Sequence, residues 1–270
     1  MTPRPPRVAP AGRWPDLAER MGSALIILVA GTALLVLPIP VAAAGLCVLF
    51  AALVWELTRL VVPVPAHRKV VGVGLSAGLA MAATLFAGSW GTLALIVPLA
   101  LGTRAARRGL RVAYVTFSLL MVLAVWGILW VRVTFGIGEA LWIVGLVELS
   151  DVLGYFVGRS VGGPKFWPAI SPKKTWSGTA AGWVGAALLG VLLVIFGRAG
   201  SGAIVIGPLL VLAGQMGDIA ESWIKRRVGA KDSSRLIPGH GGLMDRFDAM
   251  SGSLATATLL GLAGWLPVVG

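Results

Sequence analysis

Residues 203–227 read AIVIGPLLVLAGQMGDIAESWIKRR, an apolar run that acquires two acids near its end and closes with three consecutive basic residues. A helix of about 20 residues, rising 1.5 Å per residue, crosses the hydrocarbon of a bilayer, and the run at 203–224 has that length. Similar runs recur along the chain and are continuously apolar rather than alternating, which argues against a spanning barrel. The sequence therefore predicts an all-α, polytopic integral membrane protein.

Composition supports this class. Of the 270 residues, 57% are hydrophobic and only 13% are charged, a balance that a soluble domain of this length could not bury. We predict about nine transmembrane helices, at 21–37, 41–58, 70–87, 88–102, 112–131, 140–157, 178–197, 203–224 and 251–267. The chain then divides into a basic tail at 1–20, a first group of spans at 21–135 and a second at 136–270, whose main loops are 158–178 and 225–250.

The basic residues sort by loop. The net charge is +12, and all but two of the 23 Lys and Arg residues fall in alternate loops; the exceptions are Arg132 and Arg198. The positive-inside rule then predicts an N-in, C-out orientation in the cell inner membrane, with these loops in the cytoplasm. This arrangement explains the charge without a nucleic-acid partner, and we expect the tail to contact anionic membrane lipids.

Acids placed in apolar helices are the candidate functional residues. A carboxylate at membrane depth costs roughly 2.5 kcal/mol or more unless it is paired, hydrated or bound to metal. Four side chains of the quoted run share one helical face, because they are spaced i, i+3, i+4 and i+7: Asp218, Glu221, Ser222 and Lys225. Farther on, Asp245 and Asp248 are spaced i, i+3. An internal ion pair of Glu221 with Lys225 at the helix end is the simpler alternative.

Two acid pairs that flank a basic, glycine-rich loop suit a hard divalent cation, and Mg²⁺ with phosphate oxygens is the natural expectation. Zinc fits poorly, because the chain has one cysteine and two histidines, of which only His240 lies in this region. The glycines of PGHGG at 238–242 would let backbone N–H groups approach anionic oxygens. For the loop cations, membrane topology alone is an alternative explanation, most strongly for Arg227 and Arg235.

At these residues the chain resembles the phosphatidate cytidylyltransferases, also called CDP-diacylglycerol synthases. Between 222 and 248, the positions that match the family signature are Ser222, Lys225, Arg226, Lys231, Asp232, Pro238, His240, Gly241, Gly242, Asp245, Arg246 and Asp248. An earlier segment also resembles the family, at Asp151, Tyr155, Gly158, Arg159, Ser171, Pro172, Lys173, Lys174, Thr175 and Gly178. The resemblance covers about 150 to 250 and is far more specific than a short glycine motif.

The resemblance implies a membrane nucleotidyltransferase that joins CTP to phosphatidate, forming CDP-diacylglycerol and pyrophosphate with Mg²⁺, a second cation being left open. It implies a catalytic group of Asp218, Asp245, Asp248, Lys225 and His240, with Asp218 and Asp245 as metal ligands and Asp248 and Glu221 as further ligands or their supports. Substrate-binding positions would be Ser171, Lys173, Lys174, Thr175, Ser222, Arg226, Lys231, Asp232, Gly241, Gly242, Arg246 and Asp151. The active site would face the cytoplasm.

Two other functions compete with this interpretation. A CTP-dependent lipid-alcohol kinase would use similar charged loops but would need to activate a hydroxyl group. An ion-coupled transporter would also bury acids, but transporters commonly show internal repeats with paired broken helices, whereas here the charge lies in one half of the chain. Oligomeric state stays open, with a homodimer as one alternative, as do the acyl-chain and nucleotide preferences.

Overall fold

The structure is a computed structural model that describes residues 29, 31–63, 67–237 and 241–269. Eight α-helices and one hairpin of two strands make up most of it: α1 Ile39–Val61, α2 His67–Phe86, α3 Ile96–Ala105, α4 Arg111–Phe135, α5 Ile137–Ser160, β1 Lys165–Trp167, β2 Ser171–Thr175, α6 Trp176–Ile195, α7 Ala203–Arg227 and α8 Met244–Leu262. Residues 31–36 are also helical. The chain is thus an all-α protein apart from the hairpin.

Within the described ranges, six helical segments are long and apolar enough to cross a membrane. They are α1, α2, Arg108–Phe135 (α4 with the short 3₁₀ turn before it), α5, α6 and α7. The predicted tail at 1–20 and most of the predicted first span, 21–37, lie outside the described residues. The membrane-protein class is therefore confirmed, while the count of nine spans stays a prediction.

Two predicted spans have a different form in the structure. The segment predicted as one helix at 88–102 is a 3₁₀ helix, Gly88–Leu95, followed by the 10-residue α3. Gly91 lets this segment pack closely against the end of α2, because a Cβ there would meet the carbonyl group of Ala83. The last helix, α8, begins at Met244 rather than near 251 and is more polar than the six candidate spans. Asp245 and Asp248 consequently lie inside the first turns of a helix.

Contacts between distant loops sort the helix ends onto two faces. On one face, the backbone N–H of Arg107 donates to the carbonyl of Val61, and the Arg226 guanidinium donates to the carbonyl of Ile170 at 3.4 Å. We call this the basic face; it holds residues 106–110 and 161–175 and, from the loop between α7 and α8, residues 228–237 and 241–243. The opposite face joins Arg132 to the carbonyl of Leu37 and pairs Ala199 with Val269. Loops that were assigned to one side of the membrane from their charge therefore lie together.

Glycines let the helices that carry the predicted acids pack closely. A Cβ on Gly178 of α6 would lie 2.5 Å from the carbonyl oxygen of Gly154 on α5. A Cβ on Gly217 of α7 would lie 2.5 Å from the carbonyl oxygen of Asp248 on α8. Such close backbone approach is typical of helices packed through small residues in membranes. It brings the acid pairs of α7 and α8 side by side.

The hairpin was not predicted from the sequence. Its strands are antiparallel, with Lys165 opposite Thr175 and Trp167 opposite Ser171. Two features fix it to α6. The Phe166 and Trp176 rings pack edge to face with centroids 4.6 Å apart, and the Thr175 hydroxyl caps α6 by accepting from the Gly178 N–H at 3.2 Å. Strand β2 thereby carries Lys174 toward α7.

Candidate active site

Asp218 lies on α7, nearly two helical turns before residue 224, the cytoplasmic end of the predicted span. Its carboxylate forms an ion pair with Lys174 of β2 and accepts a hydrogen bond from Ser222 at 3.2 Å. The two side chains of the ion pair are 27% and 23% exposed, so water reaches both. The hairpin and α7 thus meet at one carboxylate. A metal ion that also binds phosphate could take the place of the lysine there.

Lys225 lies between two carboxylates and is almost buried. Its ammonium is 2.6 Å from Asp245 Oδ1 on α8 and 3.2 Å from Glu221 Oε2 on its own helix. The Lys225 and Asp245 side chains are only 9% and 8% exposed, and that of Glu221 is fully buried. The internal pair of Glu221 with Lys225, considered from the sequence, is therefore present, but it belongs to a larger cluster. A buried pair of this kind is costly to break, because removing one partner leaves an uncompensated charge.

The second oxygen of Asp245 is held by the loop that precedes α8. Its Oδ2 accepts from the backbone N–H of Gly242 at 2.7 Å and from the backbone N–H and hydroxyl of Ser233 at 2.8 and 2.9 Å. The pKa of Asp245 lies below its ordinary value: burial raises it, but the Lys225 ammonium and the N–H groups of Gly242 and Ser233 lower it by more. This carboxylate is fixed in place on both sides.

Glu221 and Asp248 complete the acid cluster. Neither Glu221 oxygen has a hydrogen-bond partner within the described part of the chain, although Oε2 lies near Lys225. Asp248 is close enough to Asp218 and Glu221 for electrostatic interaction with both. Buried carboxylate oxygens without donors are energetically costly, and a bound cation would relieve that cost.

These carboxylates fit Mg²⁺ by their chemistry. All four offer hard oxygen donors, which is the ligand type that Mg²⁺ prefers, and Glu221 Oε1 has no hydrogen-bond partner among the described residues. No three Asp, Glu, His or Cys side chains among the described residues converge as a ready-made metal site. Lys174 and Lys225 account for this, because they hold the carboxylates of Asp218 and Asp245. Sites for Mg²⁺ often use only one or two carboxylates, with phosphate and water supplying the remaining ligands.

A cavity of about 450 Å³ opens beside Lys174. This volume is within the range of about 300–1,000 Å³ that is usual for small-molecule sites. Its walls come from α5, the hairpin, α6 and α7, and it is lined by Ser150, Asp151, Gly154, Tyr155, Gly158, Arg159, Lys165, Pro172, Lys173, Lys174, Thr175, Gly178, Thr179 and Gln215. The earlier of the two segments singled out in the sequence therefore forms most of the pocket, with Asp151 and Lys174 in its wall, and Gln215 is the contribution of α7.

The remaining predicted residues lie around this centre. Ser171 begins β2, and Lys173, Lys231, Asp232 and Arg246 are exposed near the basic face. Arg226 donates to the carbonyls of Ile170 and Ala230, which ties α7 to the hairpin. Gly241 adopts φ +82°, a conformation that favours glycine, and lies against Asp232 and Asp245. His240 lies outside the described residues.

Two buried acids were missed in the sequence. Glu56 on α1 and Glu139 on α5 are both fully buried. The rule that drew attention to Asp218, an acid within an apolar run, applies equally to Glu56 in the predicted span at 41–58. Glu56 contacts the loop of the candidate site, whereas Glu139 accepts from the Val269 N–H at the opposite face.

Comparison with known proteins places this geometry in a family. The model of the cytidylyltransferase family matches residues 18–262, most of the chain and every described residue named in the cluster above. The chain belongs to the cytidylyltransferase family. The acids and lysines of the site lie within the matched residues, in the region of about 150 to 250 that carries the sequence resemblance.

Several curated relatives carry the name phosphatidate cytidylyltransferase. One from Brucella abortus is 48% identical over 133 residues, which cover 48% of each chain. One from Bacillus subtilis is 41% identical over 103 residues, covering 37% of this chain and 38% of the relative, and one from Haemophilus influenzae is 36% identical over 126 residues, covering 44% of each. The chain thus spans about half the length of the curated relatives it matches.

Proposed function

We propose that this cytidylyltransferase-family protein transfers the cytidylyl group of CTP to phosphatidate, giving CDP-diacylglycerol and pyrophosphate. The observation that carries the proposal is the cluster of carboxylates on α7 and α8, joined through Asp218 to Lys174, which itself lines a cavity of small-molecule size. The relatives named as phosphatidate cytidylyltransferases support the choice of substrates. Neither a lipid-alcohol kinase nor a transporter is favoured by the family match.

The reaction needs little proton chemistry from the protein. A phosphate oxygen of phosphatidate is already ionised at neutral pH, so it can attack the α-phosphorus of CTP without a general base, and pyrophosphate leaves with the bond electrons. Catalysis then consists of holding two polyanions in line and stabilising the charge that develops between them. Lys174 is the cation best placed to contact phosphate, because it is partly exposed and lines the cavity.

The acids would hold Mg²⁺ for this reaction. The sequence predicts Asp218 and Asp245 as its ligands, but both oxygens of Asp245 already have partners in Lys225, Ser233 and Gly242, so we take Asp218 and Asp248 as the first candidates, with Glu221 and Asp245 beside them. When bound, the metal would neutralise charge on the triphosphate and on the leaving pyrophosphate. Lys225 has a different task in this arrangement: it is buried between Glu221 and Asp245 and holds the two acids together. Loss of the lysine would leave these carboxylates to repel each other.

We further propose that the basic face lies in the cytoplasm of a cell with the protein in its inner membrane, N-in and C-out. The loops that contain most of the Lys and Arg residues come together on that face, as the positive-inside rule requires. The acid cluster and the cavity adjoin the same face. CTP, which is water-soluble, would then enter from the cytoplasm, and phosphatidate from the membrane.

The test is a reconstitution. Purified protein in mild detergent is given CTP, phosphatidate and Mg²⁺, and both CDP-diacylglycerol and pyrophosphate are measured. We expect equal amounts of the two products, with neither formed when phosphatidate is replaced by diacylglycerol. Pyrophosphate release without lipid product, or a product formed from diacylglycerol, would contradict the proposal.

A further inference from the structure

Glu56 lies in the middle of a hydrogen-bond network that joins the two halves of the chain. Its Oε1 accepts from the Ser234 hydroxyl at 2.5 Å and from the Leu243 N–H at 3.0 Å, while its Oε2 accepts from the Met244 N–H at 2.5 Å. All the donors belong to the loop before α8 or to the first residue of α8. The side chain is fully buried on α1. Glu56 of α1 thus fixes the loop that precedes Asp245.

The loop is closely fitted to this carboxylate. A Cβ on Gly242 would lie 2.6 Å from Glu56 Oε1 and 2.0 Å from the Ser233 hydroxyl, so only glycine allows the loop to approach as it does. The loop N–H of Gly242 can then reach Asp245 at 2.7 Å. One glycine thereby permits the contact with Glu56 and also supplies a donor to the site.

Ser233 links Glu56 directly to the acid cluster. Its hydroxyl is 2.9 Å from Asp245 Oδ2 and 3.4 Å from Glu56 Oε2. A hydroxyl has a single proton, which the shorter contact to Asp245 would take, while the backbone N–H of the same residue also donates to Asp245. Ser233 and Gly242 therefore hold Asp245 and lie against Glu56, which also accepts from the backbone N–H groups of Leu243 and Met244.

We propose that Glu56 is a positioning residue for the cytidylyl transfer, acting through Ser233, Ser234, Gly242 and Leu243 of the loop before α8 to hold Asp245 in place against Lys225. This inference rests on the proposed function, because it assigns a role within that reaction. Glu56 itself lines neither the cavity beside Lys174 nor the contact between Asp218 and Lys174. Its effect is carried entirely by the loop.

The first measurement follows the loop itself and does not depend on activity. The backbone N–H groups of Leu243 and Met244 donate to Glu56, so their exchange with deuterium reports on local opening of the loop. We measure deuterium labelling of the peptide that contains them, in detergent and by mass spectrometry, with and without Glu56→Gln. The amide keeps one oxygen acceptor but turns an NH₂ group toward N–H or O–H donors. We expect labelling to accelerate about tenfold, as local opening becomes easier when buried hydrogen bonds are lost.

The second measurement is turnover per folded molecule, with Glu139→Gln as the matched control. Glu139 is also fully buried and also accepts a backbone N–H, from Val269 at 2.8 Å, but it lies at the opposite face. We expect Glu56→Gln to lower kcat about tenfold, and Glu139→Gln to leave both kcat and loop labelling unchanged even where its melting temperature falls. A purely structural role of Glu56 would make the two variants alike.

Ser234→Ala tests the same link from the loop side and removes only one hydrogen-bond donor to Glu56. It therefore replaces Glu56→Gln in both measurements if that variant does not fold. It should accelerate labelling by about fivefold. Unchanged labelling in Glu56→Gln, or in Ser234→Ala where the former does not fold, overturns the anchoring. Faster labelling with unchanged kcat overturns the positioning role. If the unmodified protein makes no CDP-lipid, the proposed function fails, while the labelling result still decides the anchoring.

Discussion

Asp245→Asn removes one charge from the most enclosed ion pair of the site. The carboxylate Oδ2 receives three hydrogen bonds from Ser233 and Gly242, so the amide oxygen must take that position. The NH₂ group then replaces Oδ1, which lies 2.6 Å from the Lys225 ammonium, and two donors face each other. Breaking a buried pair costs roughly 3–5 kcal/mol, and we expect the lower end, about 3 kcal/mol, because Lys225 keeps Glu221 as a partner. In a protein of this size that lowers the melting temperature by roughly 6–12 °C.

The assay is thermal unfolding of the purified protein in mild detergent, together with CDP-lipid formation at a temperature where the variant is folded. We expect activity to fall by roughly 10²–10³, the scale for loss of one charge-stabilising group. Adding Lys225→Met to Asp245→Asn should lower the stability further, because the fully buried Glu221 then loses its cationic partner, and should restore no activity. Arg235→Gln, an exposed change on the same loop, is the control. A variant with wild-type melting temperature and activity would refute the paired, buried arrangement of Asp245.

Three shorter predictions concern other parts of the account. Lys174→Gln leaves Asp218 without its cation and should lower kcat/KM for CTP by roughly 10²–10³ with little change in melting temperature. A large fall in melting temperature together with the lost activity would indicate a folding role instead. Gly178→Ala places a methyl group 2.5 Å from the Gly154 carbonyl oxygen and should destabilise the protein by roughly 1–3 kcal/mol, seen in thermal unfolding, and unchanged stability would show that the α5–α6 contact is looser. A cysteine at Arg235 in a cysteine-free background should resist an impermeant thiol reagent in intact cells and react after permeabilisation, whereas labelling in intact cells would reverse the orientation.

Long apolar runs made most of the helices predictable. The runs at 112–131, 140–157, 178–197 and 203–224 correspond to α4, α5, α6 and α7 within a few residues at most ends. The prediction of one α-helix at 88–102 was wrong. Average hydropathy carries no information about the close contact between Gly91 and Ala83. Local backbone contacts of this kind depend on the neighbouring helix and leave no period in the sequence.

The candidate site was predictable where spacing carried the signal. Asp218, Glu221, Ser222 and Lys225 share a helix face by their spacing, and the structure places Asp218 and Glu221 beside Asp248. The pairing of Lys174 with Asp218 depends on a hairpin whose strands are only three and five residues long, too short for a period to show. Glu56 lies 177 residues from Ser233 in the chain, and only the fold brings them together. Its role required knowledge of which helix packs behind the loop.

The most direct test of cytidylyl transfer follows the two ends of the triphosphate. If a phosphatidate oxygen attacks the α-phosphorus, CTP labelled at the α-position transfers its label to chloroform-extractable lipid, and CTP labelled at the γ-position yields only water-soluble pyrophosphate. The described site offers Lys174 and four carboxylates to hold the triphosphate with its metal, and the lipid phosphate needs no base. We predict α-label in lipid and γ-label in pyrophosphate. Transfer of γ-label to lipid, with none from the α-position, would contradict the cytidylyltransferase account and indicate a kinase.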